Sequence, residues 1–414
     1  MISIVLPTYN EARSIQEVLR RASEALRKAG EDHELIVVDD SSPDRTADLA
    51  EALANEIPMR VLRRPGRQGL ATAVVDGWSI ARGDVLGVMD ADLQHPPEVL
   101  TRLARALRDP SVDVAIATRS GPGGGSAADW RWMRRLTSWT ARHLAACVLP
   151  RTLADLSDPM SGMFLVRARA LQGVRLEPTG YKILLEVLGK AHYRELVEVP
   201  FVFQARTLGS SKLGMRESAQ YLAHLARLAR STGQLRSWIR YAAVGFTGAV
   251  VNVGVLAFLA ERRASPIGWA LPVAILLALV NNFFWNWLLT FRTSQAPSVE
   301  PRAGILSRLV HYGKVCTTGV ALNASLTLLL NWWGVPLPLA SAAGVTLGGA
   351  WNLFFNVPAI WRSWDSPTPR RHGPVWDDSG NRRLVSPGHT SSSCRKGVVG
   401  GIRDGSARHH PGEA

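Results

Sequence analysis

The sequence predicts an α/β unit built on a mostly parallel sheet, followed by an all-α membrane unit of four helices. Three observations lead there. Over residues 1–115, short apolar runs alternate with amphipathic helical stretches, the pattern of strand–helix units joined by right-handed crossovers. Beyond residue 240, charged residues vanish for runs of 20, 28 and 47 residues (241–260, 264–291 and 315–361), and roughly 20 apolar residues suffice to cross a bilayer. Within the first of these regimes, one apolar run ends in two carboxylates, Asp90 and Asp92, at the carboxyl end of a strand, where open parallel sheets bind their ligands.

The elements follow in order. Residues 2–6 form the first strand and Pro7-Thr8-Tyr9-Asn10-Glu11 a turn. A helix over 14–29 carries Ile15, Val18, Leu19, Ala22 and Leu26 on one face. Strand two, 35–38, ends in Asp39-Asp40, and Ser41-Ser42-Pro43-Asp44 caps a helix to about residue 53. A strand over 59–62, a helix over 69–81 and a strand over 85–89 come next. Pro96 and Pro97 open a helix through Val99, Leu100 and Leu103, and 112–118 is another strand. No GxGxxG follows the first strand and no GxxxxGK[ST] occurs, so nothing points to a dinucleotide or a P-loop. After residue 119 the rhythm breaks into a glycine-rich loop (121–125), a basic and aromatic helix start (129–135) and a turn at Asp158-Pro159. A basic loop (206–212) and a basic amphipathic helical region (217–240) suited to a membrane surface complete this part.

Composition agrees with a membrane protein, since 46% hydrophobic residues coexist with a net charge of +14. We assign that charge to a cytoplasmic membrane face and phosphate-bearing substrates, not to nucleic acid. Cys147, Cys316 and Cys394 are far apart and odd in number, which predicts reduced thiols. The amino terminus lacks the basic-then-apolar pattern of a signal peptide, so the first unit is expected in the cytoplasm. Four membrane helices are expected at about 238–260, 266–290, 311–332 and 337–360. They read as two repeated pairs: Tyr241, Thr247, Gly248 and Asn252 recur 71 positions on as Tyr312, Thr318, Gly319 and Asn323. Asn281, Phe283 and Phe284 recur at the same offset as Asn352, Phe354 and Phe355, and the asparagines are expected to pack between helices. Arg236, Arg240, Arg292, Arg302, Arg308, Lys314 and Arg362 flank the ends that should face the cytoplasm. Residues 365–414 are rich in Pro, Gly, Ser and Arg without periodicity, the composition of a disordered basic tail.

The Asp90-x-Asp92 pair can hold a hard divalent cation, Mg²⁺ or Mn²⁺, that keeps water and bridges to phosphate oxygens; an acidic turn capping the next helix is the plainer alternative. The surrounding motifs turn this into a resemblance. The stretches PTYNEARSI, VVDDSSPDRT, GLATAVVDGWSIARGDVLGVMDADLQHPPEV, DPMSGMFLVR, GYKILLEVLGK and RTLGSSKL together resemble a dolichol-phosphate mannosyltransferase, an inverting family 2 glycosyltransferase. Residues 238–361 resemble the GtrA-like membrane domain that some microbial members carry fused. The resemblance implies a GT-A type catalytic domain over 1–230, with interfacial helices from about 217.

Residue by residue, the resemblance implies that Pro7, Tyr9 and Glu11 hold the nucleotide, and that Val38, Asp39 and Asp40 contact base and ribose. It implies metal ligation by Asp90, Asp92 and Gln94, and backbone contact of Ala91 with the nucleotide. Arg119 matches a donor-binding arginine, Lys182, Arg206 and Lys212 match residues facing the diphosphate, sugar and acceptor phosphate, and Arg134 with Arg135 matches the basic pair near the lipid phosphate. His95 reads as a supporting residue and Asp158 as a turn and helix cap.

The implied reaction moves mannose from GDP-mannose to a polyprenyl (dolichyl-type) phosphate. Its nucleophile is already anionic, which suits the lack of an evident catalytic histidine, while a metal and cations absorb the charge of the leaving diphosphate. A polyprenyl-phosphate glucosyltransferase using UDP-glucose shares all these motifs. A processive polysaccharide synthase would carry QxxRW after the catalytic region, which is absent. A lipid-linked sugar translocator is the alternative of another class. The four spans contain no Asp, Glu, Lys or Arg in their interiors, so they are expected to anchor rather than catalyse.

Overall fold

The computed structural model describes residues 1–120, 124–126, 132–153, 156–177, 180–204, 215–263, 267–291, 305–356, 375–376 and 382–383. The chain opens as read: β1 (Ile2–Thr8), α1 (Ile15–Lys28), β2 (His33–Asp39), α2 (Thr46–Glu51), β3 (Met59–Arg63), α3 (Leu70–Ser79), β4 (Val85–Val88), α4 (Val99–Ala106) and β5 (Val112–Thr118). The first two strands run two residues or more beyond the apolar core of each motif. Register explains it, because Pro7 and Thr8 pair with Val38 and Asp39 and so keep the ladder going into the polar ends.

The next elements are β6 (Gly125–Ser126), α5 (Trp132–Val148), α6 (Pro150–Leu153), β7 (Phe164–Arg167), α7 (Ile183–Lys190), β8 (Glu195–Pro200) and β9 (Val202–Phe203). The main sheet has seven strands in the order β3-β2-β1-β4-β7-β5-β8. All neighbours are parallel except β7, which lies antiparallel between β4 and β5. Two apolar layers sandwich it. Leu19, Leu26 and Leu100 of α1 and α4 cover one face with Ile4 and Leu35. Val74, Leu184 and Leu225 cover the other with Val5, Val88 and Phe164. The inserted β7 thus shares its side chains between both cores: Leu165 in the first, Phe164 and Val166 in the second.

Helix α8 (Met215–Ser231) lies on the second layer through Tyr221, Leu225 and Leu228. A left-handed Gly233 then separates it from α9 (Gln234–Arg263). The bundle continues with α10 (Ile267–Trp285), α11 (Ile305–Trp332) and α12 (Leu337–Trp351), and π-helical turns extend α10 over Asn286–Phe291 and α12 over Asn352–Asn356. Among the described residues three helices are long and apolar enough to cross a membrane: Gln234–Ala260, Ile267–Leu289 and Ile305–Trp332. The fourth is shorter than expected, 15 α-helical residues plus the π turn, and residues 357–360 of the expected span lie outside the described ones.

Two equivalent glycine–asparagine contacts relate the helix pairs, at an offset one residue from that read in the sequence. A side chain at Gly248 would collide with Asn282, and one at Gly319 with Asn352. The asparagine equivalent to Asn352 is therefore Asn282, 70 positions earlier, and not Asn281; the second pair closes with one residue fewer between its helices. Small residues let the helix backbones approach, and buried amides bind across them: Ser341 Oγ donates to Asn252 Oδ1 at 3.0 Å. Trp332 and Trp333, beside the turn at Gly334, are 79% and 67% exposed, as befits rings at a membrane–water interface. Within the expected tail, β10 (Val375–Trp376) and β11 (Arg382–Arg383) pair antiparallel, a departure from the disorder expected there, while the rest of 365–414 lies outside the described residues.

Candidate active site

Strands β1, β2 and β4 deliver their carboxyl ends to one edge. The loop after β1 brings Tyr9, Asn10 and Glu11; Asn10 is left-handed (φ 59°). The Glu11 amide donates to Thr46 Oγ1 at 3.0 Å, which ties this loop to the start of α2. Arg67 lies with its guanidinium 4.7 Å from the centre of the Tyr9 ring, a cation–π contact from the loop after β3. Pro7 and Val38 sit side by side in the ladder beneath.

Asp39 and Asp40 are both buried. Asp39 accepts hydrogen bonds from Thr8 Oγ1 (2.9 Å), Ser42 Oγ (2.6 Å) and the Ser42 amide (2.8 Å), so its carboxylate closes the turn after β2. Asp40 pairs with the buried guanidinium of Arg64 and accepts from the amides of Gln68 (3.1 Å) and Gly69 (2.8 Å). Arg64 reaches on to Asp76 Oδ2 at 3.0 Å and to Thr72 Oγ1 at 3.0 Å. These acids hold two loops of the cleft together. The resemblance gave them base and ribose contacts; the structure gives their side chains this internal work. Arg64, which organises it, has no marker in the sequence.

The strand β4 runs out into Met89-Asp90-Ala91-Asp92-Leu93-Gln94-His95. Leu93 adopts φ 59°, a left-handed conformation that is unusual for a branched side chain and that costs of order 1–3 kcal/mol at sites where surroundings enforce it. The turn lets the Gln94 amide donate to Asp92 Oδ1 at 3.1 Å, and Gln94 pairs with Gln204 through the backbone (3.0 Å) and its side-chain amide (3.4 Å). Ala91 is buried. Asp90 is partly exposed and lies against Gly162, where any Cβ would strike its carboxylate. The sequence showed Gly162 only as part of a turn.

Behind this turn, His95 packs between the rings of Phe201 and Phe203, each 5.2 Å away. Burial pushes its imidazole down to about 4, so the ring is neutral. Its Nδ1 makes no hydrogen bond among the described residues and stands 3.8 Å from Asp90 Oδ2.

Two cations face the acidic turn. Lys182 Nζ donates to the Met160 carbonyl at 2.8 Å; burial pulls its ammonium down from its ordinary value against the opposing charge of Asp90. Arg119, just beyond β5, clasps Asp158 with both arms, Nε to Oδ2 at 2.6 Å and Nη2 to Oδ1 at 2.8 Å. Burial alone would raise the Asp158 carboxyl, but the Arg119 hydrogen bonds and the charges of Arg119 and Lys182 hold it below the usual carboxylate range. Asp158 is thus the partner that aims Arg119, and not simply a helix cap. Glu198, through the amides of Ser157 (3.0 Å) and Asp158 (3.1 Å), fixes that turn in place. Arg206 and Lys212 lie outside the described residues. Arg134 and Arg135 fall in the first turn of α5, their side chains outside the description.

Among the described residues no group of three His, Cys, Asp or Glu is placed to hold a metal ion. Asp90, Asp92 and Gln94 offer a hard, oxygen-only donor set on one tight turn, with Gly162 leaving space at Asp90. That set fits Mg²⁺ or Mn²⁺, ions that keep water and take further oxygens from a phosphate-bearing substrate.

A GT-A type sheet, an Asp-x-Asp turn at its carboxyl edge and paired cations define a glycosyltransferase. Residues 3–172 match the family described as Glycosyl transferase family 2, and residues 240–361 match the GtrA/DPMS transmembrane domain, which makes the chain a membrane protein. The chain belongs to the dolichol-phosphate mannosyltransferase family: it is 37% identical over 360 residues to the dolichol-phosphate mannosyltransferase of Pyrococcus furiosus, covering 87% of this chain and 99% of the relative. The dolichol-phosphate mannosyltransferase of Saccharomyces cerevisiae is 37% identical over 236 residues, 55% of this chain and 86% of that one. An undecaprenyl-phosphate mannosyltransferase of Micrococcus luteus is 38% identical over 224 residues, 50% of this chain and 86% of that one.

Proposed function

We propose that this polyprenyl-phosphate mannosyltransferase takes mannose from GDP-mannose and transfers it, with inversion, to a polyprenyl phosphate at the cytoplasmic face of a membrane. The observation that supports this best is the meeting of Asp90 and Asp92 with Arg119 and Lys182 at one sheet edge, in a chain that continues into apolar helices.

In the proposed reaction a phosphate oxygen of the lipid attacks the anomeric carbon of mannose from the face opposite the nucleotide. The bond from that carbon to the diphosphate oxygen breaks, and GDP leaves with the electron pair. The nucleophile is ionised at neutral pH, so no side chain needs to remove a proton. Asp90, Asp92 and Gln94 would hold Mg²⁺ or Mn²⁺, which supplies positive charge for the departing diphosphate. Lys182, together with Arg206 and Lys212, adds charge there. Arg119, oriented by Asp158, is available to the donor, and Arg134 and Arg135 serve the lipid phosphate. Tyr9, Glu11 and the wall built by Asp39, Asp40 and Arg64 border the nucleotide pocket. Arg236 and Arg240 at one end of α9 support the cytoplasmic orientation.

The test is a donor panel with the purified full chain, a polyprenyl phosphate and Mn²⁺. GDP-mannose should give a mannosyl phospholipid whose anomeric configuration is opposite to that of the donor. Preferred use of UDP-glucose, or transfer with retention, would overturn the proposal.

A further inference from the structure

We propose that Phe354 and Phe355, at the end of the last membrane helix, are positioning residues for the acceptor side of the catalytic site. The inference rests on the acceptor reading given above, and it departs from the expectation that the membrane unit only anchors.

The carrier is α5, whose two neighbouring stripes face different partners. Trp139, His143 and Cys147 recur every fourth residue and so share one stripe. The His143 ring lies 5.0 Å from Phe354 and 5.2 Å from Phe355. Trp139 stacks on His143 at 5.0 Å and stands 6.0 Å from Phe355. The Cys147 thiol donates to the Phe354 carbonyl at 3.2 Å. On the membrane side Trp351 stacks on Phe355 with centroids 4.0 Å apart, which fixes that ring from behind. The result is an aromatic clamp between the catalytic and membrane units.

Ser138 and Arg142 form the adjacent stripe, one residue earlier and so about 100° around the helix. They line a cavity of about 170 Å³ together with Arg119, Asp158 and Met160. Arg142 Nη1 also donates to the Ser157 carbonyl at 2.9 Å, next to the residue that aims Arg119. One rigid helix therefore carries the clamp on one stripe and a wall of the cleft on the next. These ring contacts and the Cys147 hydrogen bond tie Phe354 and Phe355 to α5, so loss of both rings loosens the seat of α5 and, with it, Ser138 and Arg142. The lever also bears on Arg134 and Arg135, two turns or less before Trp139 on the same helix.

The experiment uses the full chain in detergent with a short-chain, water-soluble polyprenyl phosphate, so that membrane tethering contributes nothing. The double variant Phe354→Ala/Phe355→Ala is compared with Phe355→Tyr, which keeps a ring. Phe284→Ala is the control; at the offset of 70 it is the counterpart of Phe354 in the first helix pair, 48% exposed and in edge contact with Trp285. The double variant should lose between about tenfold and about a hundredfold in kcat/KM for the acceptor, the scale of a small misplacement near a reacting centre. Binding of GDP, read by calorimetry, should not change, and Phe355→Tyr and Phe284→Ala should retain activity. Hydrogen exchange along α5 should rise in the double variant while the sheet stays protected. Wild-type acceptor kinetics in the double variant, equal loss in Phe284→Ala, or unchanged exchange in α5 would each overturn the inference. A wild-type chain inert toward GDP-mannose would instead sink the proposed function, and the α5 exchange would still decide the docking.

Discussion

Replacing Gly162 by alanine should disable the site while leaving the fold intact. The backbone there is not left-handed, so alanine brings no conformational strain. The new methyl would lie 2.9 Å from Asp90 Cγ and 3.2 Å from His95 Cε1, and closer still to the carboxylate oxygen. Carbon atoms rest at about 3.5–4.0 Å, so the Asp90 carboxylate has to recede by roughly 1 Å. His95 cannot give way easily, being held between Phe201 and Phe203. Overpacking of this kind costs typically about 1–3 kcal/mol, which a folded domain survives. A displacement of about 1 Å at a positioned group can cost about a hundredfold in rate. We expect initial rates of mannosyl transfer to fall by that order across a Mn²⁺ titration, with saturating metal failing to restore them. A folded Gly162→Ala chain with wild-type kcat and wild-type metal dependence would show that Asp90 is not where the chemistry needs it.

Asp92→Asn should nearly abolish transfer while leaving the melting temperature close to wild type, because the residue sits on an open turn; full turnover at limiting Mn²⁺ would refute its place in the metal set. Arg64→Ala strands the buried Asp40 and should cost about 3–5 kcal/mol of stability, the scale for breaking a buried pair, which urea unfolding would measure. Arg119→Ala strands Asp158 in the same way. The Asp158 carboxyl is held below its ordinary 3.8, so its contribution is present above that value and lost as pH falls through the lower folded value. The variant should therefore be strongly destabilised at about pH 7 and much less so at about pH 4, where the stranded carboxyl can take up a proton; a penalty independent of pH would show that the pair is not the cause.

Much of the fold was legible because period and length speak directly. The faces of α1 and α4, the first five strands and the uncharged spans follow from patterns within single segments. What could not be read depends on pairing between segments. Four residues, Phe164 to Arg167, look like any short apolar strand, and nothing in them says that they insert antiparallel between β4 and β5. The Asn281 and Asn282 neighbours are equally good matches for Asn352 until a glycine on the facing helix selects one. In the candidate site the Asp-x-Asp turn stood out by its carboxylates. Its supports did not: Arg64 acts across 24 residues on Asp40, and Asp158 across 39 on Arg119. A lone charged residue in a sequence does not reveal whether its partner is water or a buried counterion.

Helix α9 has a mechanical consequence. It runs for 30 residues, about 45 Å at a rise of 1.5 Å per residue, while the hydrocarbon layer is about 30 Å thick. The surplus, residues 234–240 with Arg236 and Arg240, forms a rigid stalk whose base is the left-handed joint at Gly233. Such a stalk acts as a ruler and a dial at once: each inserted residue would lift the catalytic unit by about 1.5 Å and turn it by about 100°. The height of the site above the lipid surface and the direction in which it faces are thereby locked to each other. Only insertions near whole numbers of turns, such as about seven residues, would change one and spare the other.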